Sequence, residues 1–142
     1  MAAKDSIVLT FDVDSDDFTR AGEASSRLKR TLKQMGLPPD IIRRISIVMY
    51  EGEINMVIHA HGGKITVTVD DDAVTMVLAD VGPGIPDVEK AMQAGWSTAS
   101  EAVRQQGFGA GMGLPNMKKY SDQMEIDTRL GEGTTITMTV KI

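Results

Sequence analysis

The stretch that decides the fold opens with Asp80-Val81-Gly82-Pro83-Gly84-Ile85 and closes with Gly107-Phe108-Gly109-Ala110-Gly111-Met112-Gly113-Leu114. Glycine is used where the backbone passes close to a ligand or adopts a positive φ. Small and polar residues separate the two glycine clusters and predict a lid over residues 86–113. Backbone N–H groups of such turns, together with a helix N-terminus, bind phosphate groups. The pattern therefore predicts a nucleotide site that is covered by a lid.

Length and composition favour one globular domain over residues 1–142, because 42% of the residues are hydrophobic and 25% are charged. No apolar run approaches the ~20 residues that a bilayer requires, and the N-terminus has no signal-peptide core, so we expect a cytoplasmic protein without a membrane segment. Cysteine is absent, which excludes disulfides and thiolate metal sites. The net charge of −5 argues against a nucleic-acid partner. A bound polyphosphate would therefore depend on backbone dipoles and a metal ion.

Hydrophobic periodicity predicts alternating strands and helices along the chain. The predicted strands cover residues 6–13, 64–70, 73–80, 123–130 and 134–142. The predicted helices cover residues 17–35, 39–61, 86–94 and 114–120, and Asp14-Ser15-Asp16-Asp17 offers N-caps for the first of them. Such an order predicts an α/β two-layer sandwich, with a mixed β-sheet and helices on one face. The closing hairpin excludes a purely parallel sheet and therefore disfavours a dinucleotide-binding fold.

Two polar side chains share one face of the predicted helix 39–61. Glu51 and Asn55 are one turn apart, where the helix changes from aliphatic to polar residues. Asparagine offers a neutral oxygen to Mg²⁺, and glutamate orients or deprotonates a hydroxyl. The alternative is an exposed glutamate and a helix-terminal asparagine without a role. Glu53 points away from both residues and is expected to be solvated.

The outer face of the predicted helix 17–35 is basic. Its cations are Arg27, Lys29, Arg30 and Lys33. Two interpretations remain open at this point: a solvated helix face, or a contact surface for a protein partner.

The order of the motifs from about Asp40 onward resembles a known family. Glu-x-x-x-Asn on a helix, a β-hairpin, Asp-x-Gly-x-Gly, a loop, Gly-x-Gly-x-Gly, a helix and a second hairpin are typical of the Bergerat (GHKL) ATP-binding fold. Gyrase, sensor histidine kinases and the anti-sigma-factor serine/threonine kinases share this fold. Within the last group, Gly95-Trp96-Ser97-Thr98 and the run from Gly111 to Lys119 look closest to the stressosome switch kinases.

The resemblance implies roles for individual residues. Asn55 matches the asparagine that binds Mg²⁺, and Glu51 matches the general base. Asp80 matches the aspartate that accepts a hydrogen bond from the adenine amino group. Further nucleotide contacts are implied at Gly82, Gly84, Ile85, Gly109, Gly111, Gly113, Leu114 and Thr134, although Thr135 competes with Thr134 for the inward position. The family's lid arginine is missing before the glycines. Arg104 lies several residues earlier and is expected to reach the phosphates if the lid folds over the site.

The function implied by this resemblance is that of an ATP- and Mg²⁺-dependent protein serine/threonine kinase whose substrate is a small anti-anti-sigma (STAS) protein. The alternative is an ATP-gated binding module, either an anti-sigma factor that captures a sigma factor or a detached ATP-binding subunit, with little or no catalysis. Related small kinases pair through their first strand or helix, so a homodimer is also expected.

Overall fold

A computed structural model describes residues 6–13, 21–60, 62–85, 88, 92 and 113–142. The described elements follow the order β1 (Ile7–Val13), α1 (Glu23–Gln34), α2 (Pro39–His59), β2 (Gly63–Val69), β3 (Ala73–Asp80), α3 (Gly113–Tyr120), β4 (Gln123–Arg129) and β5 (Gly133–Lys141). The expected caps at Asp14–Asp17, most of the expected helix 86–94 and the lid from residue 93 to 112 lie outside the described residues. None of the described helices has the length and apolarity that crossing a membrane requires.

The strands form one sheet in the order β1-β2-β3-β5-β4. The two-layer α/β sandwich predicted from the sequence is confirmed. Each neighbouring pair of described strands is antiparallel, so the sheet is not mixed as predicted. The reason is that β4 enters at the far edge and returns through the turn at Gly131, which inserts β5 between β3 and β4. The strands β3 and β4 thus run in the same direction without touching.

One face of the sheet carries the apolar core, because buried and partly exposed residues alternate along the three central strands. The register joins their buried side chains into rows across the sheet, for example Val67–Met76–Met138 and Ile65–Leu78–Ile136. The same alternation continues to Asp80 on β3 and Thr134 on β5. The apolar rows therefore end, at one edge of the core, in polar side chains that face the helix layer.

Helix α2 lies between α1 and α3 and covers this core. Its Ile45, Val48 and Met49 are fully buried. Pro39 stands at its first turn, where proline needs no hydrogen-bond partner, and the extended backbone of Ala60 ends it. The predicted helix 39–61 is thus confirmed to within two residues.

Helix α1 begins later than predicted. Ala21 and Gly22 form a turn, and the left-handed backbone of Gly22, with a φ of 91°, places the first helical residue at Glu23. Gly22 has no side chain with which to cap the helix, so the free N–H groups of the first turn need acceptors from elsewhere in the fold.

Candidate functional site

The start of α3 lies against Glu51 and Asn55 of α2. A Cβ atom built on Gly113 would stand 3.3 Å from Asn55 Oδ1 and 3.5 Å from Glu51 Oε2. The spacing of one helical turn places both side chains on the face of α2 that meets α3. Only the absence of a side chain at residue 113 leaves open space beside the amide and the carboxylate, next to the N-terminal N–H groups of α3.

Asn116 joins this group through a hydrogen bond to the Glu51 side chain. Burial raises the pKa of Glu51 above its ordinary value, and the bond to Asn116 offsets part of that rise. A carboxylate with a raised pKa is a stronger base, as proton abstraction from a hydroxyl requires. In the sequence, Asn116 stands out only as part of the predicted helix start at Leu114-Pro115-Asn116. Its position three residues after Gly113, in the first turn of a helix that meets α2, was the available signal.

Asp80 and Thr134 form the second half of the site. The backbone N–H of Thr134 donates to Asp80 Oδ1 at 2.8 Å. Burial raises the pKa of Asp80, and the bond from Thr134 counteracts it. Thr134 is 5% exposed, while Thr135 is partly exposed, so Thr134 is the inward residue of the pair. Asp80 Oδ2 has no hydrogen bond to another described residue and can accept one from a ligand.

The loop after Asp80 is held against the β4–β5 hairpin. The N–H of Ile85 donates to Thr128 Oγ1 at 2.8 Å, and Thr128 shares a 2.8 Å hydrogen bond with Thr134. At Gly84 the φ is 78°, and a Cβ atom would lie 2.7 Å from the carbonyl oxygen of Arg129. Thr128 therefore fixes the position of the loop through its hydrogen bond with Ile85. The sequence analysis missed it because only the strand register brings Thr128 opposite Thr134.

Close backbone packing brings the two halves together. A Cβ on Gly63 would stand 2.8 Å from both Met56 Cε and Asp80 Cα, and a Cβ on Gly82 would stand 3.0 Å from Ala60 Cα. Met56 directly follows Asn55 on α2. Gly63 thus lies between Met56 and Asp80, and Gly82 lies against Ala60, the residue that ends α2. Asp80 is therefore near the end of the helix that carries Glu51 and Asn55.

The remaining predicted site residues divide into two groups. Leu114 lies in the first turn of α3 and its side chain is in the core, 7% exposed, so a ligand would meet its backbone and not its side chain. Arg104, Gly109 and Gly111 lie outside the described residues. The predicted lid over 86–113 is described only at residues 88, 92 and 113.

The Gly131–Gly133 turn offers a test of how tightly the backbone approaches Asp80. Both glycines have positive φ, 79° and 144°. A Cβ on Gly133 would collide with the Asp80 carbonyl oxygen, whereas a Cβ on Gly131 would meet no atom within 4 Å. We expect Gly131→Ala to cost about 1–2 kcal/mol through backbone strain and Gly133→Ala to cost about 1–3 kcal/mol more.

Urea unfolding of the two alanine variants measures this difference, with Gly131→Ala as the matched control. Equal losses of unfolding free energy would show that the backbone near Asp80 has room to move, and would contradict the close approach.

The prediction that Glu53 is solvated is wrong, because its exposed fraction is only 3%. Its Oε2 accepts hydrogen bonds from the N–H groups of Gly22 and Ala24, each at 3.1 Å. Its Oε1 accepts from the N–H and the hydroxyl of Ser25, at 3.0 and 2.7 Å. Glu53 therefore supplies the missing cap of α1, and a carboxylate at a helix N-terminus is also favoured by the helix dipole. It is a structural neighbour of the site.

The residues present fit ATP with a magnesium ion. The Asn55 side chain has no hydrogen bond to another described residue, so its oxygen is available to a hard cation. The described residues contain no group of three or more His, Asp or Glu side chains that could hold a metal alone. Any cation here would therefore share its coordination with phosphate oxygens and water, which is the usual mode of Mg²⁺ at nucleotides.

Comparisons with known proteins show a matching family and several similar proteins. The histidine kinase-like ATPase domain matches residues 15–140 of the chain. The chain is similar to an anti-sigma F factor of Caldanaerobacter subterraneus subsp. tengcongensis, with 36% identity over 103 residues, 69% of this chain and 68% of that protein. It is 35% identical to the anti-sigma F factor of Lysinibacillus sphaericus over 127 residues, 84% of each chain. The anti-sigma F factor of Bacillus licheniformis shows 32% identity over 114 residues, 76% and 75% of the two chains.

Proposed function

The chain belongs to the histidine kinase-like ATPase domain family, and we propose that it is an ATP- and Mg²⁺-dependent protein serine/threonine kinase of the anti-sigma-factor type. An ATPase domain implies ATP binding, and the relatives are named anti-sigma F factors. The proposed substrate is a small anti-anti-sigma protein of the STAS class, and the proposed second partner is a sigma factor.

One observation carries the proposal of catalysis: a half-buried glutamate and an asparagine without a partner among the described residues face one side-chain-free helix start. Glu51 and Asn55 both lie within about 4 Å of where a side chain of Gly113 would be. A site that only held nucleotide would need the asparagine but not the carboxylate, since a negative charge next to phosphates weakens their binding. The carboxylate has a use in proton transfer.

The roles of the side chains follow from their placement. Asn55 would hold the magnesium ion, which neutralises phosphate charge when bound. Asp80 would accept a hydrogen bond from the adenine amino group, with Thr134 fixing the carboxylate. Gly113 and the first turn of α3 would offer N–H groups to the phosphates. Glu51 would take the proton of the acceptor hydroxyl while that oxygen bonds to the γ-phosphorus and the bond from this phosphorus to ADP breaks. Phosphoryl transfer needs mainly such positioning and charge neutralisation.

A transfer assay tests this proposal. The purified protein is mixed with γ-labelled ATP, Mg²⁺ and each STAS protein of the source genome, and label on a serine or threonine of one of them is the expected result. If ATP binds but no acceptor is labelled, the kinase proposal is wrong.

The names of the relatives favour a second candidate, an ATP-gated binding module. In that case ATP would change the affinity for a sigma factor or another partner without transfer. Pull-down of the sigma factors and STAS proteins with and without ATP, beside the transfer assay, separates the two candidates: nucleotide-dependent capture without label supports the module.

The raised pKa of Glu51 predicts the pH dependence of transfer. A general base acts only when deprotonated, so the rate rises with pH through the Glu51 pKa, which lies above the ordinary value of 4.5. The Asn116 hydrogen bond stabilises the charged form. We therefore expect Asn116→Ala to move the acidic limb of the kcat profile to higher pH. An unchanged limb would mean that Glu51 is not the titrating base; Asn116→Asp would not serve as a control, because it adds a charge.

We also propose a homodimer through β1. This strand is an edge of the sheet, and its Ile7 and Val8 are 42% and 59% exposed. Edge strands with exposed apolar residues are usually protected by pairing. Sedimentation equilibrium of the protein and of an Ile7→Lys/Val8→Lys variant measures this; a monomeric unmodified protein at all concentrations would rule it out.

A further inference from the structure

A groove of about 640 Å³ runs along the outer surface between α1 and α2. Its lining residues are Lys29, Lys33, Leu37, Pro39, Ile42, Arg43, Ser46, Ile47, Tyr50 and Glu51. The sequence left open whether the cations of α1 form a solvated face or a contact surface. The four cations of α1 divide into two pairs. Lys29 and Lys33 line the groove, whereas Arg27 stacks over Phe11 and Arg30 lies outside the groove.

The groove has an apolar floor and a positively charged rim. Leu37, Ile42 and Ile47 supply aliphatic surface, and Tyr50 is 41% exposed. Lys29 and Lys33 make no ion pair with another described residue. The only described ion pair of Arg43 is with Asp40 at 3.5 Å, where both side chains are more than half exposed. Such an exposed pair is worth little. Because the Arg43 guanidinium also lies over the Tyr120 ring, 5.7 Å from its centroid, the rim depends mainly on Lys29 and Lys33. This positive rim stands out on a chain whose net charge is −5.

The proposed base is one of the residues that line the groove. Glu51 also belongs to the site, through its hydrogen bond with Asn116 and the space beside Gly113. A chain segment that lies in the groove would therefore contact the residue that is proposed to take a proton from the acceptor.

We propose that this groove is the docking site for the acceptor protein, and that it binds an acidic segment with interspersed apolar residues that presents its serine to Glu51. The inference rests on the proposed kinase function, which it extends by naming the recognised chemistry. The basic rim selects acidic residues, the aliphatic floor selects apolar ones, and the position of Glu51 fixes where the hydroxyl must lie. A nucleic acid would find charge here but no use for the aliphatic floor.

Peptide binding tests the groove without requiring phosphoryl transfer. The probe is a fluorescein-labelled peptide with one serine among glutamate and leucine residues, followed by fluorescence anisotropy. The test variant is Lys29→Glu/Lys33→Glu. The matched control is Arg30→Glu/Lys64→Glu, which changes the net charge equally at two exposed residues outside the groove.

We expect the groove variant to bind the peptide at least about tenfold more weakly, equivalent to about 1.4 kcal/mol, and the control to stay within about twofold of the unmodified protein. ATP affinity and the circular dichroism spectrum of both variants should be unchanged. Equal weakening by both variants would overturn the proposal, as would an oligonucleotide of the same charge that binds as tightly and loses affinity in the same groove variant.

The failures of the two proposals are distinguishable. If peptide binding depends on Lys29 and Lys33 but no acceptor is phosphorylated, the docking proposal is supported and the kinase proposal is wrong. If the groove variant and the control transfer phosphate to a STAS protein equally fast, the kinase proposal is supported and the docking proposal is wrong.

Discussion

Replacement of Glu51 by glutamine is expected to lower the rate of phosphoryl transfer about 10²–10⁴-fold, the range typical for loss of a general base. ATP affinity should stay the same or rise, because the substitution removes a negative charge beside the phosphates without changing the shape of the side chain. The oxygen of glutamine preserves the hydrogen bond to Asn116, so the start of α3 keeps its position. Single-turnover transfer and ATP titration, measured on the same preparation, separate the two effects.

The control for this substitution is Glu125→Gln, an exposed residue of β4 that neutralises the same charge far from α2. It should leave both the rate and the affinity unchanged. A Glu51→Gln variant that transfers phosphate at the unmodified rate would remove Glu51 from the role of base. A variant that loses ATP binding as well would show that the side chain positions α3 instead.

Replacement of Glu53 by glutamine is expected to lower the free energy of unfolding by about 3 kcal/mol. Each carboxylate oxygen accepts two hydrogen bonds, three from backbone N–H groups and one from the Ser25 hydroxyl. Glutamine replaces one oxygen by an NH₂ group. Even when this group faces Ser25, whose hydroxyl can accept a hydrogen bond, it meets the buried Ser25 N–H as a second donor, and the other hydrogen bonds lose their charged acceptor. Hydrogen bonds to charged groups are worth about 1.5–3 kcal/mol, and unpaired buried donors add a desolvation cost.

Urea unfolding measures the Glu53 effect, and the variants Glu53→Asp and Ser25→Ala locate it. Aspartate keeps the charge but is too short to reach the first turn of α1, and Ser25→Ala removes only the hydroxyl donor. We expect Ser25→Ala to cost less than Glu53→Gln. A loss below 1 kcal/mol for Glu53→Gln would mean that the cap of α1 contributes little and that other contacts place the helix.

The parts of the site that the sequence predicted are those governed by local periodicity. A turn of helix places Glu51 with Asn55. Asp80 and Thr134 were predicted from the family resemblance, with Thr135 left open as the inward residue, and the alternation beyond Leu78 and Ile136 explains why Asp80 and Thr134 are on the inner face. These relations need no knowledge of the tertiary fold. The joint order of the motifs then predicted that they converge. The position of Gly63 between Met56 and Asp80, and the packing of Gly82 against Ala60, support this prediction.

Glu53 shows where this reasoning fails. The helical period correctly predicts that Glu53 and Glu51 lie on different faces of α2. The face that carries Glu53 is covered by α1, which the local sequence does not indicate. Its four hydrogen bonds reach residues 28–31 positions earlier in the chain. Local signals placed the caps of α1 at residues 14–17, and nothing near Gly22 indicated a carboxylate from another helix. Thr128 was missed for a similar reason, because its role depends on the pairing of β4 with β5.

The central claim is that Asn55 and Asp80 bind opposite ends of one magnesium-bound adenine nucleotide. Isothermal titration with ATP, with and without Mg²⁺, tests it most directly on the unmodified protein, Asn55→Ala and Asp80→Asn. We predict that Mg²⁺ strengthens binding to the unmodified protein, that Asn55→Ala abolishes this enhancement, and that Asp80→Asn removes the preference of the site for ATP over GTP. Binding that is indifferent to Mg²⁺, or an Asn55→Ala variant that keeps the full magnesium effect, would contradict the account.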